Sequence, residues 1–257
     1  MRKININFLK VTSKLKSFKN KILISIKKAS TRGIRLYYQP LQVFSEIKKE
    51  PDILSPLILL LIALFIHTLL LVLLVDKITI IYPDNKRKPF IHLFNISSLF
   101  MLKTASLISL WFLSFIFFWF ALYFMKVPIE GFTIFSASGY FLGSPFLIYI
   151  ISAILYEITN LTTPNIYLIY DSHLSLETFV ATTIMLKFHF AQKMFKIPLY
   201  ILSQMFFWYG TLWTVYLSVC LLKSMGGVSW KKSFIGGLIV MMIVYIVEAA
   251  FHAMGLL

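Results

Sequence analysis

Five apolar stretches, each more than twenty residues long, dominate this chain: Ile53–Val75, Ala105–Met125, Phe132–Leu155, Tyr200–Leu222 and Phe234–Leu257. Apart from His67, Glu248 and His252 they carry no Asp, Glu, Lys, Arg or His. A helix needs about 20 apolar residues to cross the hydrocarbon core of a bilayer. Backbone N–H and C=O groups find no water there, so each stretch must close its hydrogen bonds internally, as a helix. The strict alternation of a membrane β-barrel is absent. The expected fold class is all-α: a polytopic membrane helical bundle with five transmembrane helices. Composition agrees, with 59% hydrophobic and 14% charged residues, where ordinary globular chains run near ~45–50% and ~25%.

Lys and Arg distribution sets the expected orientation. Thirteen precede Ile53, and with five spans 17 fall on the side of the N-terminus against 8 on the other. The expectation is an integral multi-pass protein of the cell membrane, N-terminus cytoplasmic and C-terminus outside. Two glycosylation-type triplets, Asn95-Ile96-Ser97 and Asn160-Leu161-Thr162, fall in the outer connections. The first long apolar run begins too far in, and is too long, for a cleavable signal peptide, so the first span is expected to act as an uncleaved signal and anchor.

Residues 1–39 read as a basic arm ahead of a membrane domain over 40–257. Phe8, Val11, Leu15, Phe18 and Ile22 recur at three- and four-residue steps, one face of a helix. Lys10, Lys14, Lys16, Lys19 and Lys21 cover much of the rest. The pattern predicts an amphipathic helix on the inner leaflet, its lysines against anionic lipid headgroups. Gly33 is expected to break it, and Pro40 to open a second short helix carrying Leu41, Phe44 and Ile47.

Ionisable groups inside a span are functional candidates. His67 is fourteen residues after Ile53 and Glu248 fourteen after Phe234, about 21 Å along helices that run in the same direction. His252 lies one turn beyond Glu248. Together they could form a proton or cation site, or a polar clasp between the first and last spans. In the third span Gly139 and Gly143 form a small-xxx-small pair for close helix packing, and Pro145 should kink that helix. Ser233 is the expected N-cap of the last helix. The long connection Tyr156–Leu199 contains Leu174–Phe190, read as an interfacial helix.

Other chemistries lack support. A single cysteine, Cys220, allows no disulfide within the chain and no multi-cysteine metal site. His92, His173 and His189 lack ligand spacing. Gly226-Gly227 lacks the Lys-Ser or Lys-Thr of a phosphate loop. The net charge of +15 resides mostly in the arm, with no aromatic and basic platform for nucleic acid. No cofactor, metal or catalytic activity is expected.

Three stretches resemble the Yip family, Ypt/Rab-interacting membrane proteins. Pro40 to Ile47 is similar to the family's opening segment of a Pro, apolar positions and an acidic residue. Asp52-Ile53-Leu54-Ser55-Pro56 is similar to its Asp-Leu-Tyr-Gly-Pro signature, keeping Asp52 and Pro56 but with Leu54-Ser55 in place of Tyr-Gly. Gly131-Phe132 through Gly139-Tyr140 to Pro145 is similar to its short turn, Gly-Tyr pair and downstream Pro. The resemblance implies a non-enzymatic five-span protein; eukaryotic members bind prenylated Rab-type GTPases and act in vesicle traffic and membrane shaping. The expected role is a membrane scaffold or organiser whose partners are the bilayer, anionic headgroups and a protein at the arm, with oligomers left open. The alternatives are a small-solute or ion transporter using His67, Glu248 and His252, with Gln204 or Tyr209, and an accessory subunit of a membrane complex.

Overall fold

The structure, a computed structural model, describes the backbone of residues 2–76, 78–81, 87–89, 96–161, 166–169 and 198–253. Side chains are described for residues 16, 18–65, 68, 100–101, 104–145, 147–159, 198–247 and 249–250. Among these residues the chain forms helices α1 (Arg2–Arg35), α2 (Pro40–Lys49), α3 (Leu54–Asp76), α4 (Ile96–Phe124), α5 (Gly131–Gly143), α6 (Phe146–Leu161), α7 (Pro198–Gly226) and α8 (Trp230–Ala253). Three short strands, β1 (Ile78–Ile81), β2 (Arg87–Pro89) and β3 (Ile166–Ile169), join them.

Helices stand at all five expected positions. Thr104–Phe124, Gly131–Thr159, Pro198–Gly226 and Trp230–Val247 are each long and apolar enough to cross a membrane, and Leu54–Phe65 is the described apolar part of α3. At 23 residues, α3 is about 35 Å long. The third span is two helices, α5 and α6, broken at Ser144-Pro145. Pro145 has no N–H to give the Phe141 carbonyl four residues back. Ser144 Oγ donates to that oxygen instead, at 3.3 Å.

Helix ends follow the chain's local chemistry. α2 opens on Pro40, where a missing N–H is no loss. α7 closes at Gly226, and Gly227, with φ of +61°, reverses the chain by donating its N–H to Lys223 O at 2.9 Å. α8 starts at Trp230, so its cap is Ser229 and not Ser233. Ser229 O accepts from Ser233 N at 3.0 Å, and Ser233 lies inside the first turn. Gly33 does not break α1, which continues to Arg35. A Cβ at Gly33 would stand 3.1 Å from Leu59 Cδ2, so this glycine lets α1 lie close against α3.

α1 and α2 form a helical hairpin whose tip, residues 36–39, reaches into the bundle. α1 packs on α3, and α2 packs on α7 and α5. Val43, Phe44 and Ile47 of α2 are fully buried with Leu217, Leu221 and Met225 of α7 and Phe141 of α5. Phe118 and Leu122 of α4, Leu59 of α3 and Val240 of α8 complete this core. At the opposite end, α6 and α7 clasp through Ser152 and Ser203. Each hydroxyl donates to the other's carbonyl, at 2.8 and 2.7 Å. α8 lies against α7 and α4.

The strands form one sheet in the order β2-β1-β3. β1 and β2 are antiparallel, with Thr79 opposite Pro89. β1 and β3 are parallel, with Thr79 opposite Tyr167. The connections after α3 and after α6 therefore meet at one end of the bundle. The turn between α7 and α8 meets the hairpin at the other, where Lys48 Nζ donates to Met225 O at 2.7 Å and Ser224 Oγ to Leu41 O at 3.0 Å. The expected interfacial helix Leu174–Phe190 lies outside the described residues.

Candidate functional site

α2 stops because Pro51 follows Glu50, its C-cap. The chain is then extended for a few residues before α3, and Asp52 sits in that interval. All four polar atoms of Asp52 have partners. Its Oδ1 accepts from Ser55 N at 2.9 Å, capping α3. Its Oδ2 accepts from Arg32 Nη1 of α1 at 2.8 Å and from the Tyr140 hydroxyl of α5 at 3.4 Å. Its backbone N–H donates to Ser136 Oγ at 3.2 Å, and Ser136 Oγ donates to its carbonyl at 2.5 Å. One aspartate thus joins three helices.

The walls of this junction are apolar and tight. Tyr140 is fully buried, with the Arg32 guanidinium 5.7 Å from its ring centroid. The Arg32 side chain is 8% exposed and that of Asp52 22%. Pro56 lies in the first turn of α3, and Gly139 faces it across the α3–α5 contact. A Cβ on Gly139 would stand 2.8 Å from Pro56 Cβ and 2.7 Å from the Trp111 ring of α4. Trp111 Nε1 donates to Phe135 O at 2.9 Å, fixing the indole.

A second set of ion pairs closes the hairpin. Arg35 makes a forked pair with Glu46, at 2.9 and 2.7 Å. The Glu46 hydrogen bond holds the guanidinium above its ordinary pKa. Lys28 reaches Glu50 at 3.3 Å, in an exposed pair. Deeper in, the Tyr37 hydroxyl donates to Ser144 O at the break between α5 and α6, and its ring stacks on Trp213 of α7 at 6.1 Å. Burial pushes the Tyr37 phenol pKa up.

The five residues that carry the resemblance fall in one region. Asp52 touches Tyr140, Pro56 touches the Gly139 backbone, and Pro145 makes the break that Tyr37 covers. Lys16, Lys19 and Lys21 are exposed on α1, while the side chains of Lys10 and Lys14 lie outside the described residues. The backbones of His67, Glu248 and His252 are helical, in α3 and α8, and their side chains also lie outside the described residues. Among the described residues no three His, Cys, Asp or Glu side chains come together.

Tyr37 carries no mark in the primary structure, and Ser136 only a helix face shared with Gly139 and Gly143. Arg32 and Arg35 read as two more cations of the arm, yet a signal exists: Asp52 and Glu46 follow on the other side of the 36–39 turn, opposite charges that a hairpin brings together.

No curated protein and no solved structure is significantly similar to this chain. The family model described as the Yip1 domain does match it, over residues 34–251. That range begins just before the hairpin tip and takes in the Asp52 junction, the Pro145 break and the spans around them, and the chain is a multi-pass membrane protein that belongs to the Yip1-domain family.

Proposed function

We propose that this chain is a non-enzymatic membrane organiser whose helical arm lies on the cytoplasmic leaflet and is held at a set angle by the Asp52 junction. The observation that carries this reading is the contrast along α1. From Ala29 to its end the helix is clamped to the bundle, with Ala29, Arg32 and the adjoining Leu36 buried. Before that point it outruns its support, and Phe18, Leu23, Ile24 and Ile26 are exposed among Lys16, Lys19, Lys21 and Lys27. A helix with an apolar stripe and a lysine face partitions into a headgroup layer, and each lysine near an anionic surface adds roughly 1 kcal/mol. Scaffolding and trafficking roles fit an arm fixed in direction, since a partner docking there would feel the orientation of the spans.

The test uses full-length protein in nanodiscs, with an environment-sensitive dye on Asn20→Cys. A blue-shifted emission in anionic bilayers that salt reverses, and that Lys16→Gln/Lys19→Gln/Lys21→Gln abolishes, is the expected result. The same spectrum in neutral bilayers would remove the electrostatic part of the proposal. Protease cleavage of the arm in right-side-out vesicles would overturn its cytoplasmic side. Cross-linking from the arm in native membranes then identifies the partner. Capture of a GTPase, coat or division-type protein supports the scaffold reading, and capture of lipid alone turns the question to solute flux dependent on Glu248.

A further inference from the structure

We propose that the groove between α7 and α8 is a binding site for one anionic phospholipid, separate from the arm. The groove has a volume of about 560 Å³ and is lined by Leu212, Val215, Tyr216, Val219, Trp230, Lys231 and Phe234. That volume is in the range of ligand pockets, ~300–1,000 Å³. Its walls are hydrocarbon and aromatic apart from the Tyr216 hydroxyl and the Lys231 amine, and Lys231 stands at one end.

Charge at that end is of one sign. Lys223, Lys231 and Lys232 gather at the turn between the two helices, and none of them is ion-paired among the described residues. Lys223 Nζ donates to Val228 O at 2.6 Å and lies 5.7 Å from the Trp230 ring centroid, which fixes both side chains at the mouth. Lys231 and Lys232 are exposed. In the hairpin Arg32 is paired with Asp52, Arg35 with Glu46 and Lys28 with Glu50. The three lysines of the α7–α8 mouth, by contrast, meet no carboxylate among the described residues.

The depth fits a lipid better than a soluble anion. Leu212 lies eleven residues before Lys223 on α7, about 16 Å along the axis, close to half of the ~30 Å hydrocarbon core. A headgroup phosphate at Lys231 and Lys232 would thus leave one acyl chain to run past Phe234, Val219 and Val215 to Leu212, one leaflet deep. A free phosphate would use the lysines and leave the apolar walls uncovered.

Native mass spectrometry of the full-length protein, released from membranes of mixed phosphatidylglycerol and phosphatidylcholine, tests the site. Wild type is expected to retain one phosphatidylglycerol per chain. Lys231→Gln/Lys232→Gln should lower the preference for it roughly tenfold or more, the scale two lysines set at a surface, while Lys231→Arg/Lys232→Arg keeps it. Leu212→Trp, at an exposed position, should displace the lipid without loss of the fold. Retention of both lipids alike, or retention unmoved by the lysine and Leu212 variants, overturns the proposal. So does loss of the bound lipid in Lys16→Gln/Lys19→Gln/Lys21→Gln alone, which would assign it to the arm. Equal retention of inorganic phosphate in detergent without lipid would mean an anion site only, and would overturn it as well.

Discussion

Asp52 is a small residue with four obligations, and its replacements separate them. Asp52→Ala leaves the Arg32 guanidinium buried and unpaired, a loss of about 3 kcal/mol or more. Asp52→Asn keeps a cap for Ser55 but not the charge. A cycle with Arg32→Met, read by thermal unfolding in detergent, should show that the two residues couple, with the double variant less damaged than the sum of the singles. Independent effects would mean that Arg32 is held by Glu50 O alone. Gly139→Ala has a different cause. Its methyl would meet both Pro56 Cβ and the Trp111 ring under 3.0 Å, and overpacking of this kind costs about 1–3 kcal/mol. The same assay should place it well below Gly33→Ala, whose methyl meets only the end of Leu59.

Tyr37 adds a dependence on pH. Its folded pKa is raised by burial above an unfolded value of about 10. Its neutral form therefore contributes stability that is fully present below about pH 10 and is lost as pH rises toward the folded value. Tyr37→Phe should remove that part of the alkaline slope in a thermal melt recorded against pH, and wild type and variant falling in parallel would show that the phenol carries none of it.

At the scale of elements, the third span is broken at Ser144-Pro145, and the carbonyls loosened there are covered from two sides. Ser144 Oγ serves Phe141 O, and the Tyr37 hydroxyl serves Ser144 O. A bare carbonyl in an apolar setting costs about 1–3 kcal/mol, so Ser144→Ala should lower stability on that scale. Pro145→Ala, which restores an N–H, should rescue much of the loss in the double variant; no rescue would mean that Ser144 acts elsewhere. The break itself was legible, because a proline in a span interior must free the carbonyl behind it. So was the start of α2 at Pro40. What covers the break was not legible. Tyr37 lies 107 residues from Ser144, and only the folded hairpin brings them together. Asp52, Pro56 and Tyr140 were visible as a family pattern, but their use as a three-helix junction also depends on Arg32, 20 residues before Asp52, and on Ser136, 84 residues after it. The Ser229 cap was misread as Ser233 because the apolar run starts later than the helix does.

For the whole molecule, the parity of the spans was readable from their number, and the sheet supports it by joining the connections after α3 and α6 at one end. The pairing of β1 with β3 could not be read, since strands 88 residues apart share no local signal. Thr79→Cys with Tyr167→Cys should form a cross-link on oxidation, visible as fragments that stay joined after proteolysis between them. Failure under conditions that link β1 to β2 through Thr79→Cys and Pro89→Cys would remove the parallel pair.

The hairpin also sets a schedule. Its helices leave the ribosome well before α7, yet α2 docks on Ser224 and Met225, and Lys48 waits 177 residues for its carbonyl. At synthesis rates of ~5–20 residues per second that delay is roughly 9–35 s. Through that interval Val43, Phe44 and Ile47 have no α7 to cover them. The arm that is made early is therefore seated late, because α7 must arrive before the hairpin can take its final place.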